Sequence, residues 1–307
     1  MSTQLAQRGP GGQTSAGPAP SSWQRLVDGV TSNKRLTAWL LLVPALGLMA
    51  AVLGYPLLEV VVRSFTDPTV GLDNYRWFFT TDINIALLVR TFMTAALVTL
   101  ACVVLGVPYV FFMTVASRRT TVIMLLLIMV PFWTSTIVRN FAWVVLLQEQ
   151  GFVNEVLTTA GLPKMTLIRT TAGVIVAMSQ VLIPFMVLPL FGTMSKIDLR
   201  LVQAAKSLGA RPVVAFWKVY FPLARPGILA GAILVFVLSL GFYITPAMVG
   251  SNKNTLISGE IYLQINEQLA WGHGAAMGVV LLVVTLAILA AGALLFKAKS
   301  PLQGGSR

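Results

Sequence analysis

Few residues in this chain are equipped for covalent or metal chemistry. His273 is the sole histidine and Cys102 the sole cysteine. Paired-histidine metal sites and intrachain disulfides are therefore excluded, and a nucleophile–histidine arrangement is weakened. Cys102 lies in an apolar run and reads as a core-filling residue. No Gly-Lys pair occurs anywhere, so the chain has no phosphate-cradling loop and cannot itself hydrolyse ATP by that route. What remains are hydroxyls and aromatics at interruptions of apolar segments. Trp133, Thr134 and Ser135 follow Pro131, while Ser239, Tyr243 and Thr245 surround Gly241 and Pro246. Such a lining binds weakly and releases, as a solute path must, and an aromatic face attracts an ammonium group by about 1–2 kcal/mol. The same aromatics also suit plain helix packing, and Pro131-Phe132-Trp133 equally suits a kink with an interfacial anchor.

The elements that carry these residues are dictated by composition. Of 307 residues, 56% are hydrophobic and only 10% charged. A soluble domain of this length cannot hide so much apolar surface behind so few charges, so lipid is the solvent for most of the chain. Six stretches lack Asp, Glu, Lys and Arg: Ala38 to Leu58, Thr91 to Ser117, Thr120 to Val138, Thr170 to Ser195, Pro226 to Asn252 and Gln268 to Phe296. Each is long enough to cross a bilayer as a helix, about 20 residues, and none alternates as a barrel strand would. Six transmembrane helices are expected, at about 37–62, 85–116, 120–147, 171–195, 226–250 and 272–297, within a permease domain spanning 34–300. Residues 1–33, rich in Gly, Pro, Ser and Gln, and 301–307 read as tails, the first disordered. No short apolar core precedes a small-residue cleavage site, so the first helix reads as permanent.

The net charge of +12 sits in short gaps between apolar runs, where it sets topology, and not in a patch for nucleic acid. With both termini cytoplasmic, 15 of the 22 Lys and Arg lie inside, while the acids other than Asp28 and Asp198 lie outside or near the outer ends. Arg118 and Arg119 alone join the second and third helices in a tight cytoplasmic hairpin. Arg139, close to a helix end, reads as snorkelling to the headgroups, with a link to a partner protein as the alternative. His273 reads as interfacial. The outer connection 148–169 should hold a short interfacial helix near Val153 to Thr159.

The cytoplasmic connection, 196–225, exceeds what topology needs. It reads Gln203-Ala204-Ala205-Lys206-Ser207-Leu208-Gly209-Ala210-Arg211-Pro212, then Phe216-Trp217-Lys218-Val219-Tyr220-Phe221-Pro222. Leu201 to Leu208 is a good helix former, with small Ala204 and Ala205 admitting a close partner. Gly209 can end it in the left-handed conformation. Pro212 suits the next first turn, and Pro222 is expected to end that second helix. Leu208, Val213, Phe216 and Trp217 then offer apolar knobs rimmed by Lys and Arg, a docking surface.

This order, Ala-Ala, three residues, Gly, nine residues, an aliphatic, one residue, an apolar, then Pro, resembles the EAA coupling loop of ABC importer permeases, which seats in the ATPase subunit. Ala204, Ala205, Gly209, Val219 and Pro222 fall on the family positions, while Gln203 replaces the usual Glu and Phe221 the commoner Leu. Leu72-Asp73-Asn74-Tyr75, Pro131-Phe132-Trp133-Thr134, Gly151-Phe152-Val153-Asn154-Glu155, Leu182 to Leu190 and Pro226-Gly227-Ile228 further resemble the first permease subunit of spermidine/putrescine importers. The resemblance implies a type I importer permease fold in the bacterial inner membrane, non-catalytic and with no cofactor of its own. It further implies ATP and Mg bound by two ABC ATPase subunits, a second and non-identical permease, and a periplasmic binding protein. The implied cargo is a polyamine or related amine. One departure bears on cargo: polyamine permeases can carry an acid after the aromatic pair where this chain reads Phe242-Tyr243-Ile244-Thr245-Pro246-Ala247, which leaves opines, aminophosphonates and other small solutes open. A stand-alone secondary transporter would need intramembrane acids and inverted repeats, and neither is visible.

Overall fold

The computed structural model describes residues 34–298, so the tails expected over 1–33 and 301–307 lie outside the described residues. Helix dominates, and there is no strand among the described residues. The described residues divide into two compact units at Glu59/Val60, 34–59 and 60–298. In order, the elements are α1 (Lys34–Thr66), a short α2 (Asp73–Thr80), α3 (Asp82–Val115), α4 (Arg118–Met129) with a 3₁₀ turn (Val130–Trp133), α5 (Thr136–Leu146) and α6 (Phe152–Thr159). Then come α7 (Thr171–Met194), α8 (Arg200–Ser207), α9 (Pro212–Ala215), a π turn (Phe216–Tyr220), α10 (Phe221–Leu240), α11 (Ile244–Val249), a 3₁₀ turn (Asn252–Asn254), α12 (Ile257–Asn266) and α13 (Trp271–Ala298). Five spans are long and apolar enough to cross a membrane, and the pair α4/α5 makes a sixth if it is counted as one broken span.

Three helices, α3, α7 and α10, pack against one another along their lengths. Without a water-driven hydrophobic term between lipid-embedded helices, close van der Waals fit must hold them, which favours small residues at the contact. Met186 of α7 supplies the clearest case. A side chain at Gly106 of α3 would lie 2.9 Å from its Cγ, and one at Gly231 of α10 would lie 2.7 Å from its sulfur. Met186 thus fills the seam left by two glycines. Around it, Val98, Cys102, Met178, Leu182 and Val235 are fully or almost fully buried. Nearer the 196–225 connection, Val110, Met113, Leu190, Met194 and Tyr220 form the second part of this core. Elsewhere α13 packs on α12 and α2, burying Phe78, Ile257 and Met277.

Three features differ from the sequence expectation. The helix expected over 120–147 is broken, with its two parts bent by 101°. Pro131 lacks a donor and restricts the residue before it, and Thr134 and Ser135 are extended at ψ 144° and 134° before α5 begins. The helix expected over 226–250 starts at Phe221 and stops at Leu240, and a separate α11 follows Gly241, Phe242 and Tyr243. Finally, Pro222 does not end a helix. The π turn, closed by the Phe221 N–H donating to the Phe216 carbonyl, lets the chain run on with Pro222 in the first turn of α10, where no donor is needed.

Candidate functional site

The connection between α7 and α10 is built as two short helices set by one glycine. Asp198 accepts from the Arg200 backbone N–H at 2.9 Å at the start of α8. At its end Gly209 has φ +88°, the Gly209 N–H donates to the Lys206 carbonyl (2.9 Å) and the Ala210 N–H to the Ala205 carbonyl (3.1 Å). This is the two-bond Schellman closure, which requires a left-handed residue at the position Gly209 holds. The turn leaves Leu208 90%, Val213 68% and Trp217 56% exposed. Gln203, Ala204 and Gly209 are exposed beside them, and Ala205 is half-buried.

Phe216, Val219 and Pro222 are half-buried instead. Phe216 was expected as an exposed knob; it turns inward, edge-on to Phe111 at 5.1 Å and stacked on Tyr220 at 5.6 Å. It anchors the surface and does not form part of it. The partner that sequence reasoning missed is Tyr220, 1% exposed, edge-on to Phe111 and within 3.2 Å of the Thr114 hydroxyl. Its spacing of four from Phe216 on a helix was the available signal.

The residues expected along a solute path are scattered. Trp133 is 84% exposed at the α4/α5 bend, edge-on to Phe132, and Thr134 beside it is exposed. Ser239 is fully buried and donates to the Val235 carbonyl at 2.7 Å, so its hydroxyl faces its own helix. Thr245 is also fully buried, its hydroxyl without a partner. Tyr243, by contrast, borders a cavity. That cavity, about 810 Å³, lies at the end of α10 remote from the 196–225 connection, between α11, the Asn252–Asn254 turn and α12. Tyr243 stacks on Tyr262 there (5.1 Å, 15° between planes). Arg169, Lys253 and Glu267 also line it, residues that sequence reading used only for topology. Nothing local in the sequence ties Tyr243 to Tyr262, because the turn between α11 and α12 sets their approach.

Arg139 does not snorkel. It is 9% exposed, and its guanidinium reaches back across the bend to the Pro131 carbonyl (2.9 Å) and the Thr136 hydroxyl (3.3 Å). His273 stacks on Trp77 at 3.8 Å, which ties α13 to α2. No group of three or more potential metal ligands occurs among the described residues.

Comparison with known proteins bears on this architecture. The family described as binding-protein-dependent transport system inner membrane component matches residues 85–300. The spermidine/putrescine transport system permease protein PotB of Escherichia coli (strain K12) is 33% identical over 223 residues, 72% of this chain and 81% of that protein. Its namesake from Haemophilus influenzae is 31% identical over 192 residues, 62% of this chain and 67% of that one. In a solved bacterial alginate ABC transporter bound to its periplasmic protein, one chain superposes with a TM-score of 0.66 at 18% identity, covering 86% of this chain and 94% of that chain, a likeness of fold. The chain therefore belongs to the binding-protein-dependent transport system inner membrane components, as an ABC importer permease with the helical fold of that class.

Proposed function

We propose that this chain is the membrane-spanning subunit of an ATP-driven importer that carries a polyamine, spermidine or putrescine, or a related small amine from periplasm to cytoplasm. The observation that carries the coupling part is the Gly209-set double helix, which holds Leu208, Val213 and Trp217 in water. Apolar side chains so exposed, rimmed by Lys206, Arg211 and Lys218, serve to seat a partner. The partner is an ABC ATPase, two copies per importer, which binds ATP and Mg while this chain contributes no catalytic residue or cofactor. A second, non-identical permease completes the path, and a periplasmic binding protein delivers the cargo. Both termini and the 196–225 connection face the cytoplasm, in keeping with the placement of Lys and Arg. The amine reading is supported by the names of the relatives and by the stacked tyrosines at the far cavity.

The test is affinity capture of a tagged chain from membranes of its native host. It should bring down an ATPase and a second permease, and deletion of the chain should abolish uptake of a labelled small amine, with spermidine, putrescine and 4-aminobutanoate as the probes. Capture of an inserted chain with no ATPase would overturn the importer reading. Undiminished uptake of all three in the deletion strain would overturn the amine cargo.

A further inference from the structure

The far cavity has a charge pattern that narrows the cargo. Its ionisable lining consists of Arg169, Lys253 and Glu267, two cations against one carboxylate. None of these side chains has a hydrogen-bond or ion-pair partner among the described residues. Arg169 is fixed by its backbone, since its N–H donates to the Val249 carbonyl at 2.9 Å. Behind the wall, α5 packs on α11 and carries Arg139, whose guanidinium meets only the neutral oxygens of Pro131 and Thr136 and whose Nε has no partner. Helices α5, α7, α10 and α11 contain no Asp or Glu to offset it. A concave cleft between low-dielectric walls focuses the field of the charges that line it, so the exposed Arg169 and Lys253 bias whatever enters, weakly and in a salt-dependent way. A path for a molecule bearing only ammonium groups would be expected to hold the opposite balance.

We propose that this cavity is an entry site for a small zwitterion, a molecule carrying one ammonium and one oxyanion such as a carboxylate. Arg169 and Lys253 receive the oxyanion, while Glu267 and an outer ring face of the Tyr243–Tyr262 stack receive the ammonium. About 810 Å³ is ample for such a molecule, within the range of small-molecule sites. The groups are exposed and water-rimmed, which makes binding shallow, as suits a site that must pass its occupant on. The inference rests on the importer reading and, within its amine cargo, selects the related small amine, one that also carries an oxyanion, over spermidine and putrescine.

A matched pair of probes tests it: putrescine, with an ammonium at each end, and 4-aminobutanoate, in which a carboxylate replaces one of them. The whole importer, without binding protein or nucleotide, is placed in lipid nanodiscs, and saturation-transfer NMR reads probe binding at millimolar concentration. 4-Aminobutanoate should show transfer and putrescine little. Arg169→Gln or Lys253→Gln should each weaken 4-aminobutanoate roughly two- to fivefold, the range for an exposed charge contact, and the double variant further. Lys253→Arg keeps the charge and should retain the signal. Putrescine binding as well as 4-aminobutanoate, absence of transfer from both, or indifference of 4-aminobutanoate to both Gln variants would each overturn the zwitterion site. None of those results touches ATPase capture, so the importer reading stands or falls separately.

Discussion

Gly209→Val isolates the contribution of one backbone angle to coupling. Gly209 has φ +88°, and a Cβ placed there would meet nothing within 4 Å. The substitution therefore creates no clash, and its cost is the intrinsic penalty of a side chain in the left-handed region, about 1–2 kcal/mol and at the upper end for a β-branched residue. Against that cost stand the two Schellman hydrogen bonds, each contributing about 1 kcal/mol net. The terms are comparable, so Val should shift the turn's equilibrium toward other conformations by about a factor of ten or more, at 1.4 kcal/mol per decade. The α8 and α9 axes would then diverge from the angle that presents Leu208, Val213 and Trp217 together. The assay is the ratio of ATPase to tagged permease captured from membranes, with insertion verified separately and uptake measured alongside. With about 2 kcal/mol of hydrogen bonding set against a penalty near 2 kcal/mol, the native turn stays roughly half occupied, so Val should lower the ratio about twofold. Asn, which tolerates the left-handed region, should keep the wild-type ratio. Wild-type capture and uptake with Val would refute the reasoning. Equal loss with Asn and Val would refute it differently, by showing that bulk and not the backbone angle matters.

Three further perturbations follow from specific contacts. Tyr220→Phe should be mild, because it removes only the contact to Thr114, whereas Tyr220→Ala empties a site that is 1% exposed and should cost about 3–5 kcal/mol; thermal unfolding of the purified importer reads the difference, and equal shifts would contradict the packing role. Gly231→Val should lower stability by at least 1–3 kcal/mol, roughly the usual cost of overpacking, since a Cβ there lies 2.7 Å from the Met186 sulfur and 3.0 Å from its carbonyl oxygen; Gly192→Ala, with nothing within 4 Å, should be neutral or stabilising in the same assay. Cys102 is fully buried and should remain silent to a membrane-impermeant maleimide, so cysteines can be introduced one at a time into the unmodified chain; Ser251→Cys should label in intact cells and Ser207→Cys only after permeabilisation, and the reverse pattern would invert the topology.

The six apolar runs were legible because exclusion of charge is a property of local sequence. Their interruptions were not legible from the runs themselves. Residues 120–138 are uniformly apolar or neutral, yet the segment bends at Pro131, and only the proline carried the signal. Gly241 and Pro246 likewise marked the α10/α11 break without giving its size. Arg139 misled because a charge near a helix end ordinarily reaches the headgroups, whereas the bend supplies a nearer acceptor in the freed Pro131 carbonyl. The α8 turn was readable residue by residue, since Ala-Ala, three residues and Gly encode a capped helix locally. Helix rotation was not readable. α7 is apolar on every face, so no polar stripe fixes which side meets α3 or α10. The same ambiguity let Ser239 pass for a path residue when its hydroxyl is spent on the Val235 carbonyl.

The continuity of the 212–240 segment relates the docking surface to the far cavity. From Pro212 the backbone stays helical for 29 residues through the π turn to Leu240, a rod of about 43 Å at 1.5 Å per residue. Its base carries Trp217 at the exposed surface and Tyr220 locked among Phe111, Phe216 and Thr114. Its middle is wedged against α7 by Met186 and Gly231, a contact too close to slide without displacing the Met186 side chain. Compliance then lies where helices are broken, at Gly241 to Tyr243 and at the 101° bend before α5. Those two breaks meet, because α11 packs on α5. The elements at this junction carry buried polar atoms with no partner: both side-chain atoms of Asn140, the hydroxyl of Thr245 and Nε of Arg139. Each such group forfeits about 1–3 kcal/mol. This junction gathers more unpartnered buried polar atoms than α3, α7 or α12, which hold one each, at Asn84, Ser179 and Gln264. The continuous 212–240 helix thus joins the docking surface at Trp217 to the α11/α5 junction at the wall of the cavity lined by Tyr243.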